Sequence, residues 1–101
     1  MSIVDVEATQ LAELAHRFGV ARLDVFGSGA GKDFDPLHSD LDFVVTFQDV
    51  PPGGIANAYF GLLEGLEHLF ERPVDLVTER SIKNPYFLRS VNETRRPIYV
   101  A

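Results

Sequence analysis

The chain has 101 residues, enough for one domain with one modest core, and its 46% hydrophobic content is that of an ordinary folded protein. A formal net charge of −6 weighs against non-specific nucleic-acid binding, which needs a basic surface to displace counterions. The absence of cysteine excludes disulfides, thiolate catalysis and cysteine-based metal sites. With no apolar run long enough to span a bilayer and no amino-terminal signal, a cytoplasmic protein without membrane contact is expected.

Leu11, Leu14, Ala15 and Phe18 recur at helical spacing and Gly19 is a natural stop, which predicts a helix from about Asp5 to Phe18. A strand, Arg22 to Phe26, runs into Gly27-Ser28-Gly29-Ala30-Gly31. Lys32 to His38 is polar and turn-like, and a second strand follows from Asp40 to Phe47. Pro51-Pro52-Gly53-Gly54 breaks the chain. After it, Ile55, Tyr59, Leu62, Leu63, Leu66 and Phe70 form a helical stripe. Gly61 and Gly65 weaken that helix by roughly 1 kcal/mol each relative to Ala; either they permit close packing on the sheet or they are merely tolerated.

The third strand is Pro73 to Thr78. Asn84-Pro85 reads as an N-cap with proline at the first helical position, and Phe87, Leu88 and Val91 give the last helix an apolar face. Pro97 to Val100 is an extended tail. This order predicts a small α/β (α+β) fold, with helices flanking a short mixed sheet, in one domain spanning residues 1–101.

The chemistry concentrates in Ser39-Asp40-Leu41-Asp42-Phe43. Side chains alternate along a strand, so Asp40 and Asp42 aim two carboxylates at one point. Such a pair repels itself unless a cation or proton intervenes, and Mg²⁺ prefers oxygen ligands of this kind. Asp75, a charge inside the apolar run Val74 to Val77, joins them if the third strand neighbours the second. Asp40 and Asp42 then bind one or two Mg²⁺ ions, while Asp75 helps hold the second and orients or deprotonates an attacking hydroxyl. Backbone N–H groups around Gly27-Ser28 would hold a triphosphate, with the Ser28 hydroxyl as an extra donor.

The bland readings are specific too. Alone, Asp40 and Asp42 are as well explained by a solvated strand face, Asp75 by an edge strand, and Gly27-Ser28 by a tight turn. Asp24 is assigned to solvent or the open sheet face. The aromatics Tyr59, Phe60, Phe70, Tyr86 and Phe87 are assigned to core or interface, and His16, His38 and His68 have no metal-ligand spacing.

Gly27-Ser28, Asp40-Leu41-Asp42 and Asp75 together resemble the DNA polymerase β-type nucleotidyltransferase superfamily. The short chain resembles its minimal nucleotidyltransferase (MNT) branch. The resemblance implies a Mg²⁺-dependent transfer of a nucleoside monophosphate, AMP from ATP, to an acceptor hydroxyl. It further implies a tyrosine of a HEPN-domain partner as that acceptor, and a role as antitoxin. Lys32 stands one residue beyond the place where the family carries an arginine, and supplies charge there without the planar fork. Two alternatives stay open at this point: an MNT-fold module that sequesters its partner with little or no catalysis, and a transferase acting on a small molecule. Self-association is also expected of so small a domain.

Overall fold

The computed structural model describes residues 8–27, 41–49 and 53–101. Helix α1 (Ala8–Arg17) leads into β1 (Val20–Phe26); β2 (Leu41–Phe47), α2 (Ile55–Phe70) and β3 (Val74–Thr78) follow. A 3₁₀ turn (Glu79–Ser81), α3 (Pro85–Thr94) and β4 (Arg96–Val100) complete the chain. The sheet order is β3-β2-β1-β4. β1 is antiparallel to both β2 and β4, and β2 is parallel to β3 across the α2 crossover. The expected mixed sheet with flanking helices is therefore what forms. The extended tail is a fourth strand, because the free edge of β1 offers it a ladder.

Strand alternation divides the fold into two faces. Leu23, Val25, Leu41, Phe43, Val45, Val74 and Leu76 are buried against Leu11, Leu14 and Ala15 of α1 and Leu62, Leu66 and Phe70 of α2. On the opposite face a smaller cluster joins Phe26 and Val44 to Val91 of α3, with Val77 and Ile82 at its margin. Each fully buried aliphatic or aromatic side chain contributes roughly 1.5–3 kcal/mol, so the larger cluster dominates stability. The α3 face is the more lightly packed of the two. Among the described residues, no helix is long and apolar enough to cross a membrane.

Local signals explain the element ends. Gly19, at φ 69, turns the chain out of α1 in a conformation that costs other residues energy. Asn84 caps α3 by accepting from the N–H groups of Tyr86 at 2.9 Å and Phe87 at 3.3 Å. The two glycines of α2 face α1 and not the sheet. A Cβ on Gly61 would lie 2.3 Å from the Phe18 ring, and one on Gly65 would lie 2.5 Å from Leu14 Cδ1. Close helix–helix approach accounts for both.

Candidate active site

Asp42 and Asp75 are register partners in the parallel β2–β3 ladder. Each is flanked on its own strand by residues of the main core, Leu41 and Phe43 for one, Val74 and Leu76 for the other. Alternation therefore turns both carboxylates onto the α3 face. Asp42 is half-buried and Asp75 exposed. A cleft of about 470 Å³ opens beside them, lined by Phe26, Asp42, Asp75, Val77 and Phe87 and reaching Tyr59 on α2. Phe87 meets Phe26 edge-on, with ring centroids 6.0 Å apart. The Tyr59 hydroxyl donates to the Leu76 carbonyl at 2.6 Å, which fixes the edge strand next to Asp75.

β1 delivers Gly27 to the same place. Its last residue, Phe26, is the register partner of Asp42. Gly27 has φ 66, and a Cβ there would stand 3.0 Å from Asp42 Oδ2. A side chain there would be strained in that conformation and would push against the Asp42 carboxylate. The Gly27 N–H donates to Thr94 Oγ1 at 2.9 Å. The Gly27 amide is thus already committed to α3.

Of the residues expected at the site, the structure brings Gly27, Asp42 and Asp75 together. Asp40, Ser28 and Lys32 lie outside the described residues. Among the described residues, no group of three or more carboxylate, histidine or cysteine side chains is placed to hold a metal. The pair Asp42 and Asp75 nevertheless suits a hard divalent cation, since both donors are carboxylate oxygens on one face of adjacent strands.

Asp24 corrects the sequence reading. It is 0% exposed, not solvated. Arg22 grips it bidentately, Nε on Oδ1 at 2.9 Å and Nη2 on Oδ2 at 3.0 Å. Arg95 Nε also donates to Oδ2, while Arg95 Nη2 donates to Glu79 Oε1 at 2.6 Å and Nη1 to Asn92 Oδ1 at 3.0 Å. A buried carboxylate is tolerable only with such partners. The hydrogen bond and charge of Asp24 push the Arg22 guanidinium up from its ordinary value. Burial works against the charge on Arg95, but its bonds to Glu79 and Asp24 outweigh that and raise it as well. A charge inside an apolar strand was the sequence signal; Arg22 stands two residues away on the same strand, but Arg95 lies too far along the chain to be paired by spacing. The aromatics divide as well. Phe70 is core, Phe60 and Tyr86 are 64% and 80% exposed, and Phe87 lines the cleft.

Residues 8–98 match the family described as Nucleotidyltransferase domain. A protein of Thermococcus cleftensis named protein adenylyltransferase MntA is 39% identical over 75 residues, 71% of this chain and 69% of that one. A solved chain assigned as a minimal nucleotidyltransferase superposes with a TM-score of 0.74 at 30% identity, covering 96% of both chains. A complex described as a tri-AMPylated Shewanella oneidensis HEPN toxin with MNT antitoxin shares the fold, with a TM-score of 0.65 at 19% identity over 98% of this chain and 74% of that one. On the match across nearly its whole length, the chain belongs to the nucleotidyltransferase family and is a transferase of the minimal type.

Proposed function

We propose that the protein transfers AMP from ATP, with Mg²⁺, to a tyrosine hydroxyl of a HEPN-type protein partner, and thereby acts as an antitoxin. The observation that carries this reading is the register pairing of Asp42 with Asp75, with Gly27 packed against Asp42. The protein-adenylyltransferase name of the Thermococcus relative and the MNT–HEPN complex of like fold support the acceptor class. Residues 1–101 act in this reading as one domain that unfolds in a single cooperative transition.

Asp42 and Asp75, with Asp40, are the residues that would hold Mg²⁺, which when bound neutralises phosphate charge and aligns the attacking and leaving oxygens. The chain's own groups supply the rest. The turn after β1 sets where the triphosphate lies, with Ser28 and Lys32 as further contacts. The acceptor oxygen attacks the α-phosphorus as the bond to pyrophosphate breaks. Asp75, the more exposed carboxylate, orients that hydroxyl and takes its proton. The apolar wall of Phe26 and Phe87 limits water on one side of the cleft.

The test is transfer of label from [α-³²P]ATP to the HEPN-domain partner by wild type, Asp42→Asn and Asp75→Asn. Both substitutions lower the single-turnover rate by roughly 10²-fold or more. Equal labelling by all three proteins removes the carboxylates from the mechanism. Label on a free small molecule without any partner would reassign the acceptor.

A further inference from the structure

We infer that Thr94 is a positioning residue for the transferase site, acting through the backbone of Gly27, with Asp24 and Arg95 anchoring it there. This rests on the reading of Gly27 and Asp42 as part of the nucleotide site.

The end of α3 is fastened to β1 and to Gly27 by two successive residues. Thr94 Oγ1 accepts from the Gly27 N–H at 2.9 Å and donates to the Ser90 carbonyl at 3.1 Å. The second bond uses the hydroxyl proton, so an oxygen lone pair is what faces Gly27. Arg95 then leaves the helix, its N–H on the Val91 carbonyl at 2.7 Å and its guanidinium on Asp24 and Glu79. Arg95 fixes where Thr94 sits, Thr94 fixes the Gly27 amide, and Gly27 abuts Asp42 Oδ2. The relay runs from the buried Asp24 and its ion pair with Arg95 to a carboxylate at the cleft.

A threonine at this place does something a bulkier or apolar residue would not. It occupies the Gly27 amide and so holds the residue that abuts Asp42 in place. Thr94 itself is exposed, so its hydroxyl is not needed to fill the core.

The experiment compares wild type, Thr94→Val and Thr94→Ser with two readouts. The first is amide hydrogen exchange at Gly27, followed by NMR without nucleotide. The second is calorimetric affinity for Mg-ATP. Thr94→Val should speed exchange at Gly27 and weaken Mg-ATP binding, each about fivefold, the scale of one hydrogen bond. Thr94→Ser, which keeps the hydroxyl, should restore both. Wild-type binding retained by Thr94→Val overturns the positioning role and leaves the nucleotide site standing. Absence of binding by all three proteins overturns the nucleotide reading, and the inference with it. A fall in affinity that serine does not rescue also overturns it, because the hydroxyl would not be the acting group.

Discussion

Asp42 and Asp75 stand opposite each other across the parallel β2–β3 ladder, each between two residues of the main core. That arrangement makes the pair obligatory. A slip of one residue in β3 would send Asp75 into the core and turn Val74 and Leu76 outward, a loss no short strand could absorb. Packing of one face thus sets the carboxylate geometry of the other.

Gly27→Ala tests the turn. The new methyl group would meet Asp42 Oδ2 at 3.0 Å in a backbone conformation, φ 66, that alanine resists. A loss of about 1 kcal/mol in stability is expected. Mg-ATP affinity should fall as well, since the Asp42 carboxylate must move aside. Urea titration and calorimetry on the same variant measure the two effects.

Asp24→Asn tests the buried ion pair. Removing the charge leaves Arg95, whose side chain is only 14% exposed, without its carboxylate partner on β1. Breaking such a pair costs about 3 kcal/mol. Arg22, whose side chain is 46% exposed, should matter less, so Arg22→Ala is expected to cost less than the Asp24 change. Chemical denaturation of the two variants gives the comparison.

Gly65→Ala separates helix propensity from packing. In an isolated helix the change would stabilise by about 1 kcal/mol. Here the methyl group would lie 2.5 Å from Leu14 Cδ1 and 3.2 Å from its Cγ, so the whole buried leucine must shift. Overpacking of that kind costs about 1–3 kcal/mol, so net destabilisation of up to about 2 kcal/mol is expected. The thermal midpoint should fall, and Gly65→Ala should cost less in a Leu14→Ala background, where there is room for the methyl group, than it does in the wild type.

Much of this was legible in the residues themselves. The stripes around Leu14 and Leu66 gave their helices, and the Asn84-Pro85 cap gave the start of α3, because capping and periodicity are local. Asp75 was readable as a site residue conditionally, since its meaning depended on which strand lay beside it. β4 was harder to see. Its sequence, Arg96 to Val100, has one proline and few neighbours in the chain to declare a ladder; β1 supplies the partner from more than seventy residues away. Separations of 71 and 67 residues likewise hid Arg95 behind Asp24 and Thr94 behind Gly27. The glycines of α2 showed their spacing in the sequence but not their neighbour, which only the packing of α1 reveals.

Metal–nucleotide binding at the Asp42 and Asp75 face is the step on which the proposed transfer depends. Titration calorimetry with Mg-ATP, wild type against Asp42→Asn, tests it most directly. Saturable binding by wild type is expected, with at least roughly tenfold weaker binding by the variant, the loss of one charged ligand. Indistinguishable isotherms for the two proteins would contradict it.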